Sequence, residues 1–395
     1  MDVISRIQNL AKDFHSQIVA CRRHLHANPE LSFKEYNTQA FVWSELDKIG
    51  ISKKQKIADT GIVALIEGKN PQSKAIALRA DMDALPIQET NDVEYKSKNA
   101  GVMHACGHDV HTSCLLGAAK ILNELKENFN GTVKLIFQPG EEKLPGGASL
   151  MIKEGVLQNP PPSEVIGQHV MPLIETGKVG FRSGVYMAST DEIYVTVKGK
   201  GGHGAMPHLT VDPVLITSHM LVALQQVVSR NANPIMPSVL SFGKVIANGA
   251  TNVIPDTVYL EGTFRTLDEK WRTDAHIKIK SMAEQIATAM GGSCEFNILR
   301  GYPALINNPE LTTVIKQNAT DYLGKENVVD LDIWMAAEDF AFYSQQSKAC
   351  FYRLGTRNEA RGIISGVHTS TFDIDEMALE TGMGLMAYNA CKSLQ

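Results

Sequence analysis

The sequence has no long hydrophobic run, few aromatic residues and no excess of positive charge. No stretch of 18 apolar residues occurs in the chain, so we expect no membrane-spanning helix. Lys and Arg total 38 against 43 for Asp and Glu, which gives a formal net charge of -5. This mild acidity argues against nucleic acid or an anionic membrane surface as the main partner. The 44% hydrophobic content of the 395 residues predicts a globular protein of two or three domains.

The chain also lacks paired cysteines. Its six cysteines are scattered and form no CxxC motif, so we interpret them as reduced thiols. Residues 1–19 contain charged side chains and no uninterrupted apolar segment, and therefore do not resemble a secretory signal. We expect a cytoplasmic protein.

The first 180 residues alternate between helical and strand patterns. Apolar periodicity predicts helices at 3–20, 34–49, 111–128 and 147–154, and strands at 62–67, 75–80, 133–137 and 165–170. This alternation is typical of an α/β fold with a mostly parallel central sheet and helices on both faces.

The middle of the chain has a different pattern. Strands predicted at 191–199, 239–247, 257–265 and 294–300 accompany helices at 212–229 and 268–290. Two helices beside a small antiparallel sheet form a compact α+β domain. We therefore predict a discontinuous catalytic domain, 1–185 and 300–395, with an inserted domain at 186–299.

Polar residues collect where the predicted strands end. Asp81 and Asp83 follow one strand, Glu141 and Glu142 follow another, and His169 closes a third. In open α/β sheets, ligands bind outside the carboxyl ends of the strands. We expect these side chains to meet at one edge of the sheet.

The segment HACGHDVH at 104–111 supplies further metal-binding residue types, in a predicted turn before a helix. Cys106 and His108, with Asp109 and His111 nearby and His368 in a C-terminal loop, provide donors for first-row divalent metals. Because the donors exceed four and carboxylates can bridge, the pattern favours a centre with two metals.

Several residues have simpler interpretations. Isolated histidines at 15, 24, 26, 219 and 276 are most simply structural, and adjacent acids such as Glu141 and Glu142 are common on surfaces. The rival chemical hypothesis makes Cys106 a nucleophile with His108 as its base. Two residues apart in a tight turn is poor geometry for that pair.

The inserted domain contains one unusual segment, GKGGHGAMPH at 199–208. Its glycines bring His203 close to backbone, either in an ordinary turn or at a functional site. Asn252 in a turn and Arg265 at a strand end carry planar donor groups suited to a carboxylate.

Seven motifs together resemble one family of metal-dependent amidohydrolases. They are ADMDALP (80–86), HACGHDVH (104–111), QPGEE (138–142), QHV (168–170), GKGGHGAMPH (199–208), EGTFR (261–265) and SGVHTS (365–370). The family includes hippurate hydrolase, N-acyl-L-amino acid amidohydrolase and indole-acetyl-amino-acid hydrolase, in the clan of aminoacylase and zinc carboxypeptidases. The resemblance implies a dinuclear-metal α/β domain with an inserted lid domain that dimerises.

The resemblance also implies roles for individual residues. Glu141 matches the catalytic base, Asp83 the acid that orients a ligand, and Asp81 a position where other branches carry a histidine ligand. His203 resembles a lid histidine that reaches a partner subunit's active site, and Glu338 a site-proximal position. Asn252 and Arg265 resemble groups that hold the substrate carboxylate. The metal ligands implied are Cys106 (in the bridging position, where many relatives have Asp), His108, Glu142, His169 and His368.

The implied activity is hydrolysis of the amide bond of N-acyl-L-amino acids, hippurate-like or N-acetylated. Two divalent cations (Mn²⁺, Zn²⁺, Co²⁺ or Ni²⁺) would activate water as the nucleophile, with Glu141 as general base. A carboxypeptidase or dipeptidase of the same fold is the main alternative, and a non-catalytic metal-binding or peptide-binding protein is another. We expect a small-molecule substrate, a homodimer through the lid, and neither a nucleic acid nor a membrane as partner.

Overall fold

The computed structural model of the protein describes residues 2–395, which divide into two compact units. The first unit comprises 2–184, 306–332 and 339–395, and the second comprises 185–305 and 333–338. The α-helices are α1 Val3–Ala27, α2 Tyr36–Ile49, α3 His108–Glu124, α4 Gly147–Lys153, α5 Pro213–Gln226, α6 Glu269–Ala289, α7 Pro309–Leu323, α8 Ala341–Ser344 and α9 Ala378–Ser393. The strands are β1 Lys54–Ile57, β2 Gly61–Glu67, β3 Ala75–Asp81, β4 Thr132–Gln138, β5 Glu164–Glu175, β6 Val179–Phe181, β7 Gly184–Met187, β8 Asp191–Lys198, β9 Gly202–His203, β10 Ser238–Ile246, β11 Val253–Ile254, β12 Thr257–Thr266, β13 Ser293–Arg300, β14 Leu305–Asn307, β15 Val328–Asp330 and β16 Lys348–Arg357.

The first unit is built on an eight-stranded sheet in the order β1-β2-β4-β3-β5-β16-β6-β15. The central pairs β4–β3, β3–β5 and β5–β16 are parallel, as is β6–β15. The pairs β1–β2, β2–β4 and β16–β6 are antiparallel. Every residue of β3 and β4 is buried, as expected for central strands covered on both faces. The predicted α/β class with a mostly parallel sheet is confirmed.

Helix α3 begins earlier than the sequence predicts. It starts at His108, directly after Gly107, whose φ of 82° is in the left-handed region. A Cβ at Gly107 would lie 2.6 Å from the Val170 side chain, so only glycine fits there without displacement. His108, Asp109 and His111 consequently lie in the first turns of a helix, and the prediction of a turn across all of 104–111 was wrong at its second half.

The second unit is an α+β structure. Its antiparallel sheet has the order β10-β12-β8-β13, and α5 and α6 contribute buried apolar residues to the same core. Strand β8 alternates buried and half-buried residues, the pattern of a strand with one face in the core. A separate two-stranded sheet joins β9 to β11.

The chain enters the second unit at residue 185 and leaves it after residue 305, compared with the predicted 186 and 299. Residues 333–338 also belong to this unit, although we predicted them to be part of the catalytic domain. Backbone hydrogen bonds hold this segment, because the Ala188 N–H donates to the Trp334 oxygen at 3.1 Å and the Trp334 N–H donates to the Tyr186 oxygen at 2.9 Å. A short segment held by its backbone carries no hydrophobic periodicity, so the sequence pattern could not place it.

Among residues 2–395, none of the helices combines the length and the apolar character required to span a bilayer.

Candidate metal centre

The strand ends of the first unit bring the predicted polar residues together. Asp81, the last residue of β3, lies opposite Gln138 at the end of the parallel strand β4, and Glu141 and Glu142 follow that strand. His169 lies within β5 rather than at its end, because β5 continues to Glu175. Parallel strands of a sheet direct their carboxyl ends to the same edge, which is why these segments meet.

Five side chains form a set of possible metal ligands, called here the donor cluster. The Cys106 Sγ lies 3.4 Å from the His169 Nε2, and the Glu142 Oε1 lies 3.3 Å from the His368 Nε2. The His108 Nε2 lies 3.9 Å from the same Glu142 oxygen. The members of the donor cluster are Cys106, His108, Glu142, His169 and His368.

The ligand atoms of the donor cluster fall into overlapping groups. Cys106, His108 and His169 offer atoms within 4.8 Å of one another, and so do Cys106, Glu142 and His368. Cys106 belongs to both groups. These two groups would supply enough donors to hold two divalent cations.

Hydrogen bonds fix which ring nitrogen of each histidine remains available. His169 donates through Nδ1 to the Val170 carbonyl oxygen at 2.8 Å, which leaves the lone pair on Nε2. His108 donates through Nδ1 to the Asp83 Oδ1 at 3.1 Å. Within the described residues, the buried Nε2 of His108 and the buried Oε1 of Glu142 accept no hydrogen bond. Buried acceptors without donors are costly, and a cation would satisfy both, so the donor set fits divalent metals.

Protons compete for these positions. The neighbouring Cys106 and Glu142 side chains raise the pKa of His368 to about 10. Burial raises the pKa of the Cys106 thiol, and the Glu142 charge adds to that effect. Metals bind the deprotonated forms of both residues, so we expect cation binding to release protons.

Asp83 organises the cluster without belonging to it. Its Oδ1 accepts from His108 and from the Glu141 N–H at 3.0 Å, while its Oδ2 accepts from the Glu142 N–H at 3.0 Å and from the Ser32 hydroxyl at 2.6 Å. A carboxylate with four donors has little capacity left for a metal. Asp83 therefore fixes the His108 ring and the backbone of both glutamates.

Glu35 provides a second fixed point for the same turn. Its Oε1 accepts from the Gly140 N–H at 2.7 Å. Gly140 has a φ of 56°, and a Cβ there would lie 2.3 Å from the Phe33 ring. Burial and the nearby Asp83 charge raise the pKa of Glu35 to about 7. The turn that carries Glu141 and Glu142 is thus held at three successive amides.

Asp81 and His111 are engaged elsewhere. The Asp81 Oδ2 accepts from the Arg79 Nη1 at 2.7 Å, and its Oδ1 accepts from the His111 Nδ1 at 2.5 Å. The His111 Nε2 accepts from the Val170 N–H at 2.9 Å, so both ring nitrogens are used. Asp109, the other donor that the sequence left open, accepts from the Arg22 Nε at 2.8 Å. Hydrogen bonding thus occupies both ring nitrogens of His111 and the Oδ2 of Asp109. The Asp109 Oδ1 has no partner among the described residues, but it belongs to none of the groups whose ligand atoms lie within 4.8 Å of one another.

Glu141 lies beside the donor cluster and is buried. One of its carboxylate oxygens belongs to a group with His108 and Glu142 in which all ligand atoms lie within 4.8 Å. Its Oε1 accepts from the Asp339 N–H at 3.3 Å. Asp339 in turn accepts from the Arg79 Nη2 at 2.7 Å and from the Ala148 N–H at 2.9 Å.

Arg79 and Asp339 were not predicted from the sequence. A signal existed for Arg79, since it is a charged residue inside the apolar strand β3, and such a residue needs a buried partner. Asp339 follows Glu338 in a segment without periodicity and gave no comparable signal.

The remaining predicted site residues belong to the second unit. His203 lies on β9 opposite Val253, and the Gly204 N–H donates to the Asn252 oxygen at 2.8 Å, so this unit brings His203 and Asn252 together. Both residues are exposed. Arg265 on β12 donates through Nη1 to the Met335 oxygen at 3.3 Å, and Glu338 is buried.

Comparison with known proteins assigns the family. Residues 77–390 match the model of peptidase family M20/M25/M40. The chain is 39% identical over 385 residues to thermostable carboxypeptidase 2 of Saccharolobus solfataricus, covering 97% of this chain and 96% of that protein. It is 43% identical over 304 residues to an N-acyl-L-amino acid amidohydrolase of Geobacillus stearothermophilus, covering 77% and 81%. The crystal structure of the Bacillus subtilis YXEP protein, described as a dinuclear metal binding peptidase from the M20 family, matches with a TM-score of 0.83 and 33% identity over 97% of this chain and 99% of that chain.

The chain belongs to peptidase family M20/M25/M40, and it is a hydrolase of that family. The resemblance inferred from the seven motifs is confirmed. The relatives include both amidohydrolases and carboxypeptidases, so the family alone does not choose between those two reactions.

Proposed function

We propose that this protein hydrolyses the amide bond of N-acyl-L-amino acids, using two divalent cations held by the donor cluster and Glu141 as general base. The observation that carries the proposal is the set of buried, unshared lone pairs in the donor cluster beside a buried glutamate. A relative of known structure is described as binding two metals, which supports the same stoichiometry here.

The cations would supply Lewis acidity, which lowers the pKa of water and polarises the scissile carbonyl. The chain supplies the orientation. Glu142 is a member of the donor cluster, while the neighbouring Glu141 accepts the Asp339 N–H. Glu141 would take the proton from the attacking water and return it to the leaving amine, because a carboxylate within reach of both can act first as base and then as acid.

The second unit carries the residues that the sequence predicts for substrate recognition. Arg265 is half-buried, and burial lowers the pKa of its guanidinium; no acidic side chain in residues 2–395 forms an ion pair with it. A guanidinium of this kind suits a substrate carboxylate, with Asn252 as a second donor. His203 would stabilise the oxyanion. These three roles, a homodimer through the second unit and a cytoplasmic location remain predictions from the sequence.

A carboxypeptidase activity is the second candidate, since relatives bear that name. Both reactions need a free carboxylate beside the scissile amide, and they differ in the acyl side. A panel of N-acetyl, N-benzoyl and N-indoleacetyl amino acids, together with dipeptides, assayed with Mn²⁺, Zn²⁺, Co²⁺ or Ni²⁺, distinguishes them. Faster hydrolysis of dipeptides than of every N-acyl amino acid would replace our proposal with the second candidate.

The role of Glu141 is tested by Glu141→Gln. We expect turnover to fall by about 10²–10⁴, because the variant loses acid–base catalysis while the donor cluster is intact. Metal content measured by mass spectrometry should stay at the wild-type value. Near-normal turnover with full metal content would show that Glu141 is not the base.

A thiol mechanism predicts the opposite response to a chelator. Burial raises the pKa of Cys106, whereas a nucleophilic cysteine needs a lowered pKa. We therefore expect a chelator to abolish turnover and added metal to restore it. Activity that is indifferent to the chelator would favour Cys106 as nucleophile.

A further inference from the structure

The Arg22 side chain is fully buried, and the proposed reaction makes no use of its charge. Arg22 lies near the end of α1. Its Nε donates to the Asp109 Oδ2 at 2.8 Å, and its Nη2 donates to the Asp373 Oδ1 at 2.8 Å. One guanidinium thus joins Asp109 and Asp373, which are 264 positions apart in the sequence, and its Nη1 also lies 3.7 Å from the Glu376 Oε1.

Both carboxylates lie on segments that carry members of the donor cluster. Asp109 directly follows His108 in the first turn of α3, and Asp373 follows His368 in the same C-terminal loop. The two segments also meet elsewhere, because the His368 N–H donates to the Ala105 oxygen at 2.7 Å. They are therefore joined at two places, once by backbone and once through Arg22.

His368 is the donor whose position depends most on such ties. Its side chain is 52% exposed and its φ is 61°, a left-handed conformation that a non-glycine residue keeps only when its surroundings enforce it. The other histidines of the donor cluster, His108 and His169, are buried on regular elements.

We propose that Arg22 is a positioning residue that holds the His368 loop against the start of α3 and thereby sets the affinity of the cation bound by Cys106, Glu142 and His368. This inference rests on the proposed function, since it assumes the two-cation centre. It adds a residue outside the donor cluster that determines how firmly one of the two cations is held.

Removing the guanidinium should leave both carboxylates with a partner. Asp109 still faces the His26 Nδ1 at 2.8 Å, and Asp373 still accepts from the Tyr95 hydroxyl at 2.8 Å. We therefore expect Arg22→Met to fold. It should lose the contact that joins the start of α3 to the His368 loop, while each of these segments keeps its own structure.

Arg23 provides a matched control. Both arginines lie over the Tyr95 ring, at 4.8 Å for Arg22 and 4.9 Å for Arg23. Arg23 also binds the C-terminal region, because its Nε and Nη2 each donate to Glu376 at 2.7 Å. It differs in being 43% exposed and in pairing with Glu376 rather than with a carboxylate of α3. Arg23→Met removes a link from α1 to the C-terminal region without touching α3.

The experiment measures Mn²⁺ binding to the full-length, metal-stripped protein by competition with a chelator dye, for wild type, Arg22→Met, Arg22→Lys and Arg23→Met. We expect Arg22→Met to weaken one of two Mn²⁺ sites by ~10–100-fold, as for other residues that orient metal ligands from outside. Turnover should return at saturating Mn²⁺. Arg22→Lys should weaken the site nearly as much, because one ammonium does not reproduce a forked guanidinium. Arg23→Met should remain close to wild type.

Unchanged Mn²⁺ affinity in Arg22→Met would overturn the role of Arg22 while leaving the proposed function intact. An equal loss at both sites, or an equal loss in Arg23→Met, would also overturn it, because the effect would then be general destabilisation. Wild-type protein that binds fewer than two Mn²⁺ would instead contradict the proposed function. If Arg22→Met fails to fold, Asp373→Asn tests the same tie from its other end, with the same expected loss at one site.

Discussion

Two neighbouring clusters in the first unit contain similar residues but use their lone pairs differently. In the anchored cluster, defined as Arg79, Asp81, His111, Gln138 and Asp339, carboxylate and imidazole lone pairs accept protein hydrogen bonds. In the donor cluster, the Nε2 of His108 and the Oε1 of Glu142 accept none within the described residues. The clusters nearly touch, since the His108 Nε2 lies 3.7 Å from the Asp81 Oδ2.

The comparison shows that residue type does not identify the ligands of a centre. His108 and His111 lie one helical turn apart on α3, and both are fully buried. His111 uses both ring nitrogens, whereas His108 uses only Nδ1. Unshared lone pairs distinguish a candidate ligand from a structural residue, and only the folded arrangement reveals them.

The largest expected effect on stability comes from breaking the anchored cluster. Asp339→Ala would leave Arg79 short of a partner and would remove the acceptor of the Gln138 Nε2 and the Ala148 N–H. We expect the free energy of unfolding to fall by about 3–5 kcal/mol, as when one partner of a buried ion pair is removed. Chemical denaturation measures this change.

The control is Asp330→Ala, which removes a surface carboxylate that is 84% exposed and paired with Lys316. Its stability should match the wild type. A stable Asp339→Ala variant would mean that the anchored cluster is not the structural support that its hydrogen bonds indicate.

The donor cluster should respond in the opposite way. His169→Ala removes one ligand, and we expect Mn²⁺ affinity to fall by about 100-fold or more, a loss of about 3 kcal/mol, since each ligand contributes a share of the binding energy. Stability of the metal-stripped protein should change less, because His169 has one backbone hydrogen bond to lose. Isothermal titration with Mn²⁺ and thermal unfolding provide the two readings. Retention of wild-type affinity would remove His169 from the ligands.

Asp83 shares features with both clusters. Its carboxylate accepts four hydrogen bonds, as in the anchored cluster, but three of the donors belong to His108, Glu141 and Glu142 at the candidate metal centre. Asp83→Asn places an amide group where a donor now points. We expect Mn²⁺ affinity and turnover to fall by ~10–100-fold, as for other groups that orient a metal-binding histidine. Ser32→Ala removes only one of the four donors and should stay within a few-fold of wild type. Equal losses in both variants would show that the site tolerates no change at all near Asp83, against a specific orienting role.

The sequence predicted the strand-end edge because buried parallel strands followed by polar residues have a recognisable pattern. Asp81, Glu141 and Glu142 lie at or just after the strand ends as expected. The pattern could not show that Gly107 starts α3 three residues early, since a positive φ depends on the close approach of Val170.

The hydrogen bonds of Asp109 and His111 could not be predicted from the sequence either. Asp109 pairs with Arg22, which lies 87 positions earlier on α1, and His111 accepts the backbone N–H of Val170. Contacts between distant positions decide which ligand atoms already have hydrogen-bond partners, and a single sequence contains no direct record of such contacts.

The distinction between compensated and uncompensated groups also applies to buried cations, and Lys134 gives the smallest predicted effect. Arg79 pairs with two carboxylates. Among residues 2–395, the Lys134 Nζ donates instead to the carbonyl oxygens of Val156 and Gln158, at 2.7 Å and 2.6 Å. Lys134 is 1% exposed on β4, at a cavity of about 420 Å³. Burial lowers the pKa of its ammonium to about 8.

Between pH 8 and the ordinary lysine pKa, the unfolded chain therefore binds more protons at Lys134 than the native protein does. The stability that this residue contributes should rise with pH across that interval. The shift corresponds to at most about 3 kcal/mol, and water in the open part of the cavity reduces it, so we expect about 1–2 kcal/mol. The unfolding free energy of the wild type minus that of Lys134→Met should increase by that amount from pH 7.5 to 10.5. Lys53→Met, which alters an exposed amine at the same cavity, should show no such increase. A pH-independent difference for Lys134→Met would mean that the two carbonyl groups stabilise the ammonium as fully as the carboxylates stabilise Arg79.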